Sequence, residues 1–209
     1  MAAEDSEGLL RKGLEALGLT PSDEQVAAFM AHLALLQKWN RVHNLTALAK
    51  DRDIIVKHFL DSCLYLPHVP PEARSLADVG SGAGFPGIPV KLFRPELAVW
   101  LIEPSSKRAA FLRQAVRTLG LRDVQVLQGR LEDVSPLGVD VAVTRALMEV
   151  AVFVRKASRI VRAGGTIVMS KGPRVKEEAA GLALPHEVVP AVLPFSGATR
   201  FMVVVHKTA

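Results

Sequence analysis

The stretch Asp78-Val-Gly-Ser-Gly-Ala-Gly-Phe-Pro-Gly-Ile-Pro89 decides the fold. Glycines at 80, 82, 84 and 87 follow directly on the short apolar run 75–79, and a helical pattern over 87–93 comes next. Without a Cβ the backbone can turn tightly and let a ligand lie against it. Pro86 is expected in the first turn of the helix, where its missing N–H costs little. Strand, glycine turn and helix in that order predict a crossover in an open α/β sheet, whose ligands sit at the carboxyl ends of the strands. Working outward, further apolar runs at 97–102, 124–127, 139–143 and 166–169 alternate with helical patterns near 105–119 and 149–161. This rhythm predicts a mostly parallel sheet with helices on both faces. Runs at 187–193 and 201–206, separated by Pro-Phe-Ser-Gly-Ala, read as a terminal hairpin and bring the strands to seven.

Upstream the pattern is helical. Leu9, Leu10, Leu14 and Leu17 form a short amphipathic repeat ending near Gly18. Thr20-Pro21 looks like an N-cap with proline at the first helical position. Val26, Phe29, Met30, Leu33 and Leu36 then continue a long amphipathic helix to about Trp39. A helix over 54–66 runs into the proline cluster 67–71, the expected boundary between an N-terminal helical cap (1–70) and an α/β domain (71–209).

Composition narrows the function. Apolar residues make up 49% of the 209 and charged ones 22%, enough for a packed core. The longest stretch free of charge, 25–37, falls well short of the roughly 20 residues of a membrane span. No secretory leader is read in the acidic opening MAAEDSEG, so a cytoplasmic protein is expected. Cys63 is the only cysteine, which excludes internal disulfides and cysteine-rich metal sites. The net charge of +5 tilts toward a polyanionic partner. Aromatic residues are scarce at 5%, so phosphate contacts and shape, rather than base stacking, should dominate any RNA binding.

The glycine turn leaves two cofactor classes open. Gly82-Ala-Gly-Phe-Pro-Gly87 matches a dinucleotide fingerprint, and Glu103 lies about 20 residues on, where a ribose-binding acid belongs. Against it, Asp78 stands at the strand end. A carboxylate there is awkward for a diphosphate but suits a cofactor with ammonium and sulfonium centres. Glu103 can accept hydrogen bonds from both ribose hydroxyls under either reading.

The arrangement Asp78-x-Gly80-x-Gly82-x-Gly84 resembles the first motif of class I S-adenosylmethionine-dependent methyltransferases. The run DVGSGAGFPGIPVKLFRP further resembles the glucose-inhibited division protein B family, the guanine-N7 methyltransferases of small-subunit 16S ribosomal RNA. NRVHNLTAL at 40–48, KHFLDS at 57–62, IEPSSKRAAFL at 102–112, GRLED at 129–133 and TRA at 144–146 match in order. Thr144 stands where the family usually has serine. The resemblance implies a class I, Rossmann-like fold with an N-terminal helical extension, using S-adenosyl-L-methionine and releasing S-adenosyl-L-homocysteine. It implies that Gly80 and Phe85 contact the methionine and adenosyl parts of the cofactor and that Glu103 holds the ribose. Pro104, Ser105, Leu131 and Glu132 would lie near the adenine, and Arg145 would face the cofactor and substrate.

Such a reaction needs little catalytic machinery. Guanine N7 carries an in-plane lone pair and no proton, so no general base and no metal are expected. His58 and Asp61, at i and i+3, are expected to pair on one helix face, and Asn40 and Asn44 to serve the backbone. Arg41 and the loop carrying Lys171 and Arg174 are the expected contacts to rRNA phosphates, whereas Lys107, Arg108, Arg113 and Arg117 read as solvated helix charges. The partner is then the small ribosomal subunit or its 16S rRNA, with a monomer as the default. An NAD(P)-linked oxidoreductase and a non-catalytic ribosome-assembly factor are the alternatives.

Overall fold

Helix α1 (Ser6–Ala16) is capped by Asp5, whose side chain accepts the Glu7 N–H. Helix α2 (Asp23–His43) opens at Ser22 rather than at Thr20. Ser22 Oγ accepts the Gln25 N–H at 3.2 Å and Gln25 Oε1 accepts the Ser22 N–H at 2.8 Å, a reciprocal cap that satisfies two otherwise unpaired amides. The helix runs beyond Trp39 and stops where Asn44 turns left-handed, φ +50°. There Asn40 Oδ1 accepts the Thr46 N–H at 2.9 Å, so Asn40 does serve the backbone, while Asn44 ends the helix through its own left-handed turn. Helix α3 (Asp51–Ile54) widens into a π-helical segment, Ile55–Leu60, and closes with α4 (Asp61–Cys63).

The computed structural model describes residues 5–145, 148–173 and 175–208. Seven strands follow the helices: β1 (Ser75–Val79), β2 (Ala98–Glu103), β3 (Val124–Gln128), β4 (Val139–Arg145), β5 (Val161–Lys171), β6 (His186–Val192) and β7 (Thr199–His206). Their order is β3-β2-β1-β4-β5-β7-β6. β1 to β5 pair in parallel, and β7 lies antiparallel to both β5 and β6. The chain order reverses between β1 and β4, where open α/β sheets bind their ligands.

The helices between strands are α5 (Gly87–Phe93), α6 (Ser106–Thr118), α7 (Val150–Ala157) and α8 (Val175–Ala179). Alternate strand residues face opposite sides. Leu76, Val143, Val168 and Val204 join Phe29, Phe59, Ile88 and Phe111 in one apolar cluster, so α1 to α6 cover that face. Ala77, Ala142, Ile167 and Val203 join Val150, Phe153, Val154 and Val175 on the other, beneath α7 and α8.

The helix expected over 149–161 is shorter, because β5 begins at Val161. Its pairing with β4 slips between Val139 and Val141, with Gly164 at φ +70° inside the irregularity. Pro86 stands one residue before α5, and the first-turn proline is Pro89. Among the described residues, no helix is long and apolar enough to cross a membrane.

Candidate functional site

The turn after β1 is held by carboxylates. Asp78 is fully buried, and its Oδ2 accepts the Gly87 N–H at 2.9 Å. A Cβ at Gly87 would fall 2.8 Å from that oxygen and 2.6 Å from Leu101 Cδ2, so the close approach requires glycine. At Gly84, φ is +91° and a Cβ would collide with Ile88. Burial pushes the Asp78 carboxyl up to about 7. Asp78 lies behind the turn, not on a cavity wall, and its Oδ1 has no partner among the described residues.

Glu103, 2% exposed at the end of β2, supports the other side of the turn. Its Oε2 accepts the Gly82 N–H and its Oε1 the Ser105 N–H, both at 2.9 Å. Four more amides of the turn are also engaged. Gly80 and Ser81 donate to the Ile102 carbonyl at 2.8 and 3.1 Å, while Gly84 and Phe85 donate to the Ser81 carbonyl at 2.8 and 2.9 Å. A diphosphate seated on a glycine turn takes such amides for itself. Here two carboxylates and two carbonyls hold them. The second lone pair on each Glu103 oxygen remains for a vicinal diol.

Two neighbouring cavities flank the turn. One, of about 320 Å³, is walled by Val79, Ile102, Glu103, Pro104, Leu131 and Met148, with Glu132 and Lys156 paired at its rim. These walls are mostly apolar with an acceptor pair at one end, the chemistry of an adenosine site. Ser105 caps α6 beside it, its side chain accepting the Arg108 N–H. The other cavity, about 200 Å³, lies between the glycine turn and the chain before the π-helical segment, at Leu45, Thr46, His58, Phe85 and Arg145. Gly80 and Arg108 line both cavities. Arg108 is therefore drawn toward the site, 3.8 Å from Glu103, and is not the purely solvated charge expected of it.

His58 does not pair with Asp61. The wider turn of the π-helical segment carries i+3 off the shared face. His58 instead donates from Nδ1 to the Lys57 carbonyl at 3.1 Å and accepts the Thr46 hydroxyl at Nε2 at 2.9 Å. Burial, then Arg145, lowers its pKa to about 3. Its ring stacks on Phe85, centroids 4.5 Å apart, and the Arg145 guanidinium lies 5.5 Å from the same ring's centroid. His32 stacks there too, at 5.1 Å, and donates to the Ala83 carbonyl at 3.0 Å. Burial lowers its pKa to about 4. Tyr65 bridges the sheet behind them. Its hydroxyl donates to the Thr144 carbonyl at 2.6 Å and accepts the Ser170 N–H at 3.0 Å. Thr144 Oγ1 donates to the Val79 carbonyl at 2.8 Å, a bond within reach of serine's hydroxyl as well.

The sequence therefore brings Gly80, Gly82, Phe85, Glu103, Pro104, Leu131, Glu132 and Arg145 to one continuous surface. It gave no sign of His32 or Tyr65, which support the site from the helical segment through contacts no periodicity reports, nor of the bond between the Thr46 hydroxyl and His58. Among the expected RNA contacts, Arg41 is exposed at a cavity bordered by Gln37, Asn40 and Asn44. Lys171 is turned inward, 12% exposed, donating to the Met148 carbonyl at 2.6 Å and to Glu178 at 2.8 Å. Arg174 lies outside the described residues.

A family model described as rRNA small subunit methyltransferase G matches residues 25–188. The chain is 40% identical over 196 residues to a Ribosomal RNA small subunit methyltransferase G of Methylobacillus flagellatus, covering 93% of this chain and 95% of that protein. Its counterpart in Neisseria meningitidis serogroup A is 42% identical over 163 residues, 78% of each chain. Solved structures share the fold. Cofactor-bound Rv0187 from MTB superposes with a TM-score of 0.64 at 18% identity, over 99% of this chain and all of that one. TYW2 of M. jannaschii in complex with AdoMet gives 0.55 at 17% identity, over 71% of this chain and 74% of that one.

Proposed function

Because the chain belongs to the family of rRNA small subunit methyltransferase G, we propose that it methylates N7 of a guanine in 16S ribosomal RNA from S-adenosylmethionine. When bound, that cofactor supplies an electrophilic methyl on a sulfonium centre. The single observation carrying the reading is that Asp78 and Glu103 take the amides of Gly87 and Gly82. A turn whose amides are held this way favours a diol at Glu103 over a diphosphate.

Glu103 would accept the ribose hydroxyls, with Pro104, Ser105, Leu131 and Glu132 beside the adenine. Gly80, Gly82 and Phe85 would border the methionine part, Asp78 and Gly84 shaping the turn behind them. Guanine N7 attacks with its own lone pair, so the protein's work is alignment and exclusion of water, and orientation alone can lower a barrier by several kcal/mol. His58 fits this role. Its Nε2 is engaged by Thr46 and its pKa lies near 3, so it serves as a wall rather than a base. Arg145, stacked against Phe85 in the wall of the cavity of about 200 Å³ where the methyl donor's reacting end would lie (the donor cavity), would meet the substrate.

Arg41 and the loop beginning at Lys171 and including Arg174 would contact rRNA phosphates, Lys171 exchanging Glu178 for phosphate. The protein would act as a cytoplasmic monomer. The test is transfer of labelled methyl to unmodified small subunits and to free rRNA, followed by mapping of the modified nucleoside. Incorporation as 7-methylguanosine at one position is expected. Absence of transfer, or binding of NADH in place of S-adenosylhomocysteine, would overturn the reading.

A further inference from the structure

A further cavity, polar and about 250 Å³, opens at the carboxyl ends of β4 and β5. Arg145 stands in its wall as well as in that of the donor cavity. Its floor is Asp61, 1% exposed at the end of the π-helical segment. Asp61 Oδ1 accepts a bond from Arg200 Nε at 2.5 Å, and Oδ2 lies 3.6 Å from Arg145 Nη1. Lys57 and Lys171 also border the cavity, but each already holds its own carboxylate, Asp53 at 2.6 Å and Glu178 at 2.8 Å. Two guanidiniums thus share one buried carboxylate, and one positive charge is left over.

Their donors are left over too. Arg200 spends only Nε on Asp61, and its two terminal nitrogens have no partner among the described residues. Arg145 spends Nη1 on the Lys57 carbonyl at 3.1 Å, leaving Nη2. Ser170 adds a hydroxyl on the same wall. Planar guanidinium forks with open N–H pairs match the oxygens of a phosphate. Two such groups lining one cavity would repel without the carboxylate between them.

Resting on the proposed rRNA substrate, we propose that Arg145 and Arg200 bind a backbone phosphate of the RNA next to the target guanine. Asp61 is the positioning residue that holds the pair. The site fixes the strand beside the donor cavity, because Arg145 belongs to both.

The experiment compares the full-length protein with Arg200→Gln on unmodified small subunits or 16S rRNA across a range of salt concentrations. The variant should raise the apparent KM for RNA about tenfold, with kcat little changed. The slope of log KM against log salt should fall by about 0.7 to 0.9, one phosphate contact. Arg200→Lys should restore the slope but only part of the affinity, since it keeps the charge and loses the fork. S-adenosylhomocysteine affinity, by calorimetry, should not move; if it drops instead, the cavity serves the donor's carboxylate and the proposal is wrong. Unchanged KM and slope in an active enzyme would also overturn it. Should Arg200→Gln unfold, Arg200→Lys carries the test alone, since it keeps a cation beside Asp61: a raised KM with the slope unchanged is expected, and an unchanged KM would overturn the proposal. If the wild-type protein itself transfers no methyl to rRNA, the reading beneath the proposal has failed, a result distinct from an active enzyme indifferent to Arg200.

Discussion

Glu103 shows how one side chain can build a site and also serve it. Its two oxygens fix the Gly82 and Ser105 amides, and their second lone pairs point to the ribose role. Glu103→Gln replaces one acceptor by a donor, so one amide loses its partner and the diol loses the charge. The loss of one charge-assisted bond, about 1.5 to 3 kcal/mol, should weaken S-adenosylhomocysteine binding by ~10- to 100-fold in calorimetry. Unaltered affinity would remove Glu103 from the ribose role. His32 makes a different kind of prediction. Burial holds its folded pKa near 4, below the usual 6.5, so the stability that depends on its being neutral is fully present above 6.5 and lost as pH falls through 4. At pH 4 the loss amounts to about 3 kcal/mol. Asp78 runs the other way: with a folded pKa near 7 against 3.8, its contribution is present below 3.8 and lost as pH rises through 7. Denaturant midpoints measured from pH 4 to 7 for the wild type and His32→Phe separate the two. The variant should lose the acid-side fall due to His32, and an identical profile would refute the assignment.

At the scale of elements, the strands and the glycine turn were legible because their signals are local. Five parallel strands follow short apolar runs, and Gly84 and Gly87 sit where a Cβ cannot. The start of α2 was misread for a reason equally local. Thr20-Pro21 carries one cap signal, whereas Ser22 with Gln25 carries two that reinforce each other. Ser22→Ala should therefore lower stability by about 1 kcal/mol, seen as a shift in denaturant midpoint. Thr20→Ala should shift it far less, and the reverse order would restore the first reading. The π-helical segment was not legible at all. Ile54, Ile55, Phe59 and Leu60 satisfy an α-helical repeat nearly as well, and only packing reveals the wider turn. That hidden turn separates His58 from Asp61, sending one to the donor cavity and the other to the guanidinium pair. The failed pairing of His58 with Asp61 thus traces to one irregular helix, where residues near in sequence face different chemistry, whereas His32 reaches Phe85 from α2 by packing alone.

At the scale of the whole molecule, the proline cluster at 67–71 marks a change of architecture, yet the apolar core runs straight across it. Phe29, Phe59 and Tyr65 belong to the same cluster as Leu76, Val99 and Leu101 of the sheet. Burying one large side chain contributes about 1.5 to 3 kcal/mol, so uncovering the sheet face beneath these three would remove a substantial share of the burial that offsets chain entropy. Tyr65 also ties the carboxyl ends of β4 and β5, and Thr46 and His58 close one side of the donor cavity. We therefore propose that the helical segment and the sheet are one folding unit and one binding unit. A fragment comprising 71–209 should show no cooperative thermal transition and should not bind S-adenosylhomocysteine, while the full chain does both. The two readouts are needed together. A fragment that melts cooperatively without binding would place the helices in the site alone, and one that melts and binds would make them an accessory to a domain already complete.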